Sequence, residues 1–346
     1  MHLVDKHQYK SAQYKEHTSK YQLSPEILAA CPLKSTIKTA PRIYCLRATI
    51  RAMKIGLVTY KPQHVEGFDL HVYYSKWADG QVFPAAKDMQ NDITVFCDAK
   101  AIREDPNIVA ISKNGPALRK NRRNNLAFDF VCPTHPEYRA KVFNYLDSLN
   151  NEKTLGVTLN LYHFPDQDFC VCPRCTQLWK QSGLNWTDWR AKTITEFLKE
   201  AKTHTKGTFA VEIYPDPVLA KERFGLDLTA IAEIVDYFHV PLSSRDYFTN
   251  YWVDMITRDF AALLQKPVVL ELSAEMPTDE KMDALLKTVA YVSRHKLDAV
   301  LLLVHDSENA KQVCRFAVQN TELREWFKQY NFEEMTRIVD EWAKIY

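Results

Sequence analysis

Short runs of aliphatic and β-branched residues recur along this chain, spaced so that a helix fits between most neighbours. From Met53 onward they are Ile55–Tyr60, Ile93–Cys97, Ile108–Ser112, Gly156–Tyr162, Phe209–Tyr214, Val235–Pro241, Val268–Leu272 and Ala299–Val304. Helical stretches such as Pro136–Leu149, Asp188–His204, Leu228–Ile234 and Asp279–Arg294 lie between them. Apolar strands separated by amphipathic helices belong to parallel sheets buried on both faces. Eight strands close a (β/α)₈ barrel. The expectation is a single-domain TIM barrel over residues 53–346, with helices at 308–344 completing its outer ring. A doubly wound open sheet is the alternative. It usually carries a glycine-rich first turn, and no such turn is visible in a chain with only 8 Gly in 346 residues.

Residues 1–52 stand apart, with nine Lys/Arg against three Asp/Glu and no sustained amphipathic period. They read as an N-terminal extension, poorly structured or an artefact of the assigned start, because Met53 opens the strand-like MKIGLVTY. No apolar run reaches the roughly 18–20 residues of a membrane span. No hydrophobic signal segment opens the chain. The expected location is cytoplasmic. The formal charge of +2 is close to balance, so neither nucleic acid nor an anionic membrane is an expected partner.

In a reducing compartment, clustered cysteines point to metal rather than to disulfides. Cys170-Val171-Cys172-Pro173-Arg174-Cys175 is a C-x-C-x-x-C knuckle that can turn three thiolates toward one centre. Tetrahedral zinc needs a fourth ligand, and Cys132, after a neighbouring apolar run, can supply it. Four thiolates leave no open coordination position, so the zinc would be structural. Unlinked thiols or an iron–sulfur cluster are the alternatives, since thiolates alone do not choose the metal. Cys31, Cys45, Cys97 and Cys314 are isolated and read as plain thiols.

A barrel of this kind carries its chemistry at the C-terminal ends of its strands. That filter selects Asp129, Asn160, His163, Glu212, Asp216, His239, Ser243, Glu271, Glu275, His305 and Asp306. Tyr162, Tyr214, Tyr237, Trp77, Trp252 and Phe164 lie near strand ends or in loops, where aromatic faces can stack on sugar rings; core packing is the plainer reading for each. The basic run Arg119–Arg123 can meet an anion, but a solvated loop explains it more simply.

Cys132-Pro133-Thr134-His135-Pro136-Glu137-Tyr138-Arg139, followed by the knuckle at 170–175, resembles the zinc-binding barrel of glycoside hydrolase family 42, the β-galactosidase type. The resemblance spans about 108–275 and matches all four of that family's zinc positions. It implies a hydrolase acting on a glycosidic bond, with a general acid/base Glu after an Asn at the end of strand four and a nucleophile at the end of strand seven. Asn160 falls ten residues before Cys170, at the family's Asn, but Leu161 stands where the acid/base Glu would be. Leu270-Glu271-Leu272-Ser273 resembles the nucleophile segment.

The resulting expectation has Glu271 as nucleophile or charge stabiliser and Glu212 as replacement acid. Asn160, His163, Tyr214, His239 and Asp306 would contact a carbohydrate. Asp166 and Asp168 are further carboxylates after strand four. The alternative is a carbohydrate-binding barrel with structural zinc and no turnover.

Overall fold

The computed structural model describes residues 52–242, 250–264, 266–275 and 278–346. The expectation for residues 1–52 and the candidate Ser243 therefore lie outside the described residues, save Ala52. The elements belong to one compact unit, Ile50–Tyr346. Eight parallel strands form a closed barrel: β1 (Lys54–Thr59), β2 (Leu70–Lys76), β3 (Gln90–Thr94), β4 (Gly156–Asn160), β5 (Thr208–Glu212), β6 (Tyr237–Pro241), β7 (Val268–Ser273) and β8 (Ala299–Val304). Each strand pairs with its sequence neighbours, and β1 closes on β8 with Lys54 opposite Ala299 and Thr59 opposite Val304.

One strand expected from sequence is not in the barrel, and one barrel strand was not expected. Ile108–Ser112 is not in the barrel. Its last two residues form a small antiparallel hairpin with Gly115–Pro116, and Val109 bridges to Val131. The segment lies in the long connection from β3 to helix α2 (Pro136–Leu149), where Ile108, Val109, Phe130 and Val131 bury one another. The barrel strand in its stead is β2, Leu-His-Val-Tyr-Tyr-Ser-Lys. Its polar residues disguise it, yet Ser75 and Lys76 are buried. Lys76 can be buried because its ammonium lies 3.1 Å from Asp98 and donates to the Thr94 carbonyl at 2.9 Å. Asp98 also caps helix α1 (Ala99–Glu104) and accepts from the Tyr138 hydroxyl. One buried ion pair thus ties β2 and β3 to α1 and α2.

The barrel interior is lopsided. On β8, β1 and β2 it is apolar, built from Val58, Val72, Ala299, Leu301 and Leu303. Gly56 is needed there, because a Cβ at that position would stand 2.6 Å from both a Leu301 methyl and the Leu70 carbonyl. Ala210 of β5, Tyr237 of β6 and Val269 of β7 extend the same cluster, while polar side chains enter from β3 and β4 beside it. Gln90 donates to Thr158, and Thr158 lies 3.4 Å from the Tyr237 hydroxyl. This polar layer leads upward to the candidate site.

Outside the barrel, α3 (Pro173–Ser182) and α4 (Trp186–Thr203) follow β4. The short helices α5 (Ala220–Phe224) and α6 (Leu228–Ala232) follow β5. Helices α7 (Asn250–Leu263), α8 (Asp279–Val292) and α9 (Ser307–Gln319) follow β6, β7 and β8. Arg190 of α4 is fully buried, and its guanidinium donates to the carbonyls of Asp166, Glu222 and Arg223. Those three bonds clamp the loop after β4 to α5. Helices α10 (Thr321–Gln329) and α11 (Glu333–Trp342) end the chain. Among the described residues no helix is long and apolar enough to cross a membrane.

α11 returns to the start of the barrel. Trp342 is completely buried, packs on Phe68 at 5.6 Å between ring centroids, and donates its indole N–H to Gly67. Trp342→Ala removes a large ring and leaves the Gly67 carbonyl unpaired. The expected cost is about 3–5 kcal/mol of stability. Urea unfolding of the two proteins measures it, and a loss under about 1 kcal/mol would contradict this placement.

Candidate active site and cysteine cluster

The polar layer ends in four converging side chains at the C-terminal end of the barrel. Strand pairing sets Glu212 opposite His239 and Tyr74 opposite Asp92. One ligand-type atom each of Asp92, Glu212 and His239 lies within 4.8 Å of the other two. Glu271 joins them from β7, with its Oε2 3.0 Å from His239 Nε2 and 3.4 Å from the Tyr74 hydroxyl. Asn160 donates its side-chain N–H to Asp92. Asp92 and His239 are 0% exposed and Glu271 is 1% exposed.

This crowding controls the protons. Burial, then the charges of Asp92 and Glu271, push Glu212 up to about 8 against the opposing pull of His239. Burial and Glu271 likewise raise Asp92 well above the usual carboxylate range, against the hydrogen bond from Asn160. Burial pulls His239 down, but its contact with Glu271 and the charge of Glu212 outweigh that, and the imidazolium is favoured overall. The site therefore keeps at least one carboxyl protonated near neutrality, while Glu271 lies against the His239 ring.

Aromatic rings run outward from the cluster on one side. Tyr74 stacks on Tyr60 at 5.5 Å, Tyr60 meets Trp77 edge-on at 5.9 Å, and Trp77 meets Phe83 at 4.9 Å. Burial and the nearby carboxylates Glu275 and Glu271 hold the Tyr60 phenol protonated. The ring at Trp77 was named from sequence; Tyr60 and Tyr74 were not.

The structure thus brings together Glu271, Glu212, Asn160 and His239 of the expected residues. It adds Asp92, which sequence reasoning missed by starting the strand at Ile93. The signal was available: Gln90, Asn91 and Asp92 are polar, yet they continue the strand inward with period two. The other expected contacts are engaged elsewhere. His163 is buried among Phe130, Tyr162 and Phe224, with Nδ1 2.7 Å from the Phe164 carbonyl, and burial lowers it to about 4. That is the environment of a neutral packing histidine. Asp306 caps α9, accepting from the N–H groups of Glu308 and Asn309. Tyr214 is exposed and packs on Phe224 under the Arg223 guanidinium. Asp166 and Asp216 flank Arg223, and Asp168 lies 3.8 Å from Lys113. Leu161 packs against the main hydrophobic core. Tyr162 and Phe164 are buried, and Tyr237 sits in the layer below the carboxylates.

The cysteines form a second centre. One sulfur each of Cys132, Cys170, Cys172 and Cys175 lies within 4.8 Å of the others. Cys132 Sγ is 3.4 Å from Cys175 Sγ and 3.8 Å from Cys172 Sγ. Local sequence builds the knuckle: Cys172 caps α3, Pro173 opens it, and Cys175 lies one turn on, donating its N–H to the Cys172 sulfur at 3.4 Å. The Ile111 N–H donates to Cys170 at 3.2 Å, and the Thr134 hydroxyl lies 3.2 Å from both Cys132 and Cys175. Mutual hydrogen bonding, led by Cys132, drives Cys172 down and Cys170 and Cys175 up. The chemistry of this donor set suits one shared metal ion, with the Ile111 and Cys175 N–H groups already donating to its sulfurs.

No family model matches the chain, and no curated protein matches it. Among solved structures, it is similar to the glycoside hydrolase domain of PelA from Pseudomonas aeruginosa, with 11% identity over 75% of this chain and 96% of that one and a TM-score of 0.43. Ega3 from Aspergillus fumigatus, in complex with galactosamine, is similar over 73% of this chain and 92% of that one, with 8% identity and a TM-score of 0.39. The tryptophan synthase α-subunit from Pyrococcus furiosus is similar over 85% and 99%, with 10% identity and a TM-score of 0.37. At this level the likenesses speak neither to reaction nor to substrate.

The proton held by Glu212 has a consequence for stability. Its ordinary value is 4.5 and its folded value about 8. Across that window the folded protein binds more protons than the unfolded chain, so stability falls as pH rises. Urea midpoints measured from about pH 5 to pH 9 should fall steadily, and Glu212→Gln should make the slope shallower. An unchanged slope would mean that Glu212 is not the raised carboxyl.

Proposed function

We propose that this chain is a glycoside-hydrolase-like barrel that acts on a glycosidic bond. The observation that carries the reading is the pair Glu212 and Glu271, two carboxylates at strand ends in opposite electrostatic settings. Glu212, held protonated to about 8, is suited to give its proton to the leaving glycosidic oxygen. Glu271, beside the His239 ring and the Tyr74 hydroxyl, is suited to attack the anomeric carbon or to stabilise the positive charge that grows there. This division replaces the family arrangement in which the acid follows Asn160, since Leu161 is turned to the core. Asn160 holds Asp92 through its N–H and keeps a buried carbonyl oxygen with no protein partner among the described residues, an acceptor for a sugar hydroxyl. The rings of Tyr60, Tyr74 and Trp77 offer apolar faces for a carbohydrate.

The cysteine cluster would hold a structural zinc. Four thiolates close its coordination shell, so its part is to brace the β3 and β4 loops, and the reaction does not pass through it. What supports this is the convergence of the sulfurs with the donors from Ile111, Cys175 and Thr134.

A screen of aryl glycosides in chelator-treated buffer tests the reaction. Wild type should cleave at least one, with kcat/KM falling about tenfold per pH unit above pH ~8 as Glu212 loses its proton. Glu271→Gln should lower kcat by about 10³-fold or more. Binding of an oligosaccharide without cleavage of any glycoside would favour the carbohydrate-binding alternative, to which Leu161 already points. Metal analysis of the purified chain should find about one zinc, and under about 0.5 zinc with no iron would overturn the closed thiolate site.

A further inference from the structure

We propose that Asp92, Glu212 and His239 form a second metal site, separate from the cysteines, which takes a divalent cation of the manganese or ferrous type at the mouth of the barrel. Three observations converge on it. The first is geometric. Their ligand atoms lie within 4.8 Å of one another, the spacing expected around one ion after a slight contraction. The second is incomplete hydrogen bonding. Among the described residues, the buried Asp92 Oδ2, the Asn160 Oδ1 and both ring nitrogens of His239 have no hydrogen-bond partner. His239 Nε2 lies 3.0 Å from Glu271 Oε2 but is not aligned to donate to it. Buried polar atoms left unpaired are costly, and a cation would satisfy several together. The third is charge. Three carboxylates, Asp92, Glu212 and Glu271, surround one imidazole, while the nearest buried cation described in the barrel wall, Lys76, is committed to Asp98. A buried acidic cluster of this kind needs either protons or a metal.

Side chains that would orient the ligands are also in place. Metal-bound histidines are commonly held by a carboxylate on the other ring nitrogen, and bound carboxylates by an amide donor. Glu271 stands beside His239, and Asn160 donates to Asp92. One nitrogen and two carboxylates make a harder donor set than four thiolates. The two centres therefore differ in the ions they prefer. The cation and the Glu212 proton occupy the same carboxyl, so binding would remove the acid and silence glycoside cleavage. That last consequence rests on the proposed function, whereas the site itself does not.

The test uses the full chain, stripped with chelator, and Mn²⁺ alone as the probe, followed by electron paramagnetic resonance and calorimetry without substrate. One Mn²⁺ per chain is expected. Asp92→Asn and His239→Gln should each weaken it at least about tenfold, and Asp168→Asn, at an exposed carboxylate facing Lys113 outside the cluster, should leave it unchanged. Far-UV circular dichroism checks that each variant folds, and either of the two barrel variants suffices if the other does not. No saturable Mn²⁺ in the wild type below ~1 mM, equal affinity in a folded Asp92→Asn or His239→Gln protein, or loss of Mn²⁺ in folded Asp168→Asn would overturn the site. Because the readout needs no glycoside, failure of the glycosidase reading leaves this result standing, and the converse also holds.

Discussion

The pairing of β1 with β8 closes the sheet, and closure is what turns the ends of five strands, β3 to β7, into one site. Side chains alternate along a strand, so in a closed barrel every second residue must point inward. With the register fixed from Lys54–Ala299 to Thr59–Val304, inward positions at 92, 160, 212, 239 and 271 have nowhere to go but toward the axis. An open sheet of the same strands would leave β1 and β8 as separate edges and would not force this convergence.

Convergence sets an electrostatic problem that the barrel solves unevenly. Apolar side chains from β8, β1 and β2, joined by Ala210, Tyr237 and Val269, fill the interior and remove solvent from the carboxylates gathered on β3, β5 and β7. Removing solvent raises Glu212 and Asp92, and the single imidazole of His239 compensates only part of the charge. The raised acid, the paired carboxylate and the unpaired ring nitrogens are therefore three expressions of one condition. The apolar half of the barrel makes the polar half reactive. Lys76 is the exception that fits the rule: it is buried in the same wall, but Asp98, Thr94 and Tyr138 occupy it fully, so it does not reach in to neutralise the cluster.

The sequence carried much of this, for reasons that differ from strand to strand. β8 is a pure aliphatic run, and its bounds could be read to the residue. Glu271 and His239 were legible because each is one polar residue inside an apolar run, a pattern that marks an inward site when both faces are otherwise buried. β2 was not legible. Its Tyr, Ser and Lys residues mimic a surface loop, and only the tertiary ion pair with Asp98 makes their burial possible. Asp92 was lost for a related reason: a strand beginning Gln-Asn-Asp lacks the apolar signal that announces a strand. His163 and Asp306 show the reverse error. A strand-end position says where a side chain starts, but aromatic packing and helix capping decide what it touches.

The cysteine centre and the carboxylate centre are linked through the chain in a way that bears on precision. The connection from β3 runs out past Asp92, through the hairpin near Ile111, to Cys132 and then α2. The connection from β4 runs from Asn160 past Phe164 to Cys170 and the knuckle. Asn160 and Asp92 are hydrogen-bonded at the base of those two loops, and the four sulfurs converge at their outer ends. A metal bound at the sulfurs would fix those outer ends and limit how far the strand ends can splay, holding the Asp92–Asn160 contact without touching it. A carboxylate site this dependent on close approach tolerates little movement. A structural metal at the cysteines would thus serve a carboxylate centre whose chemistry depends on distance.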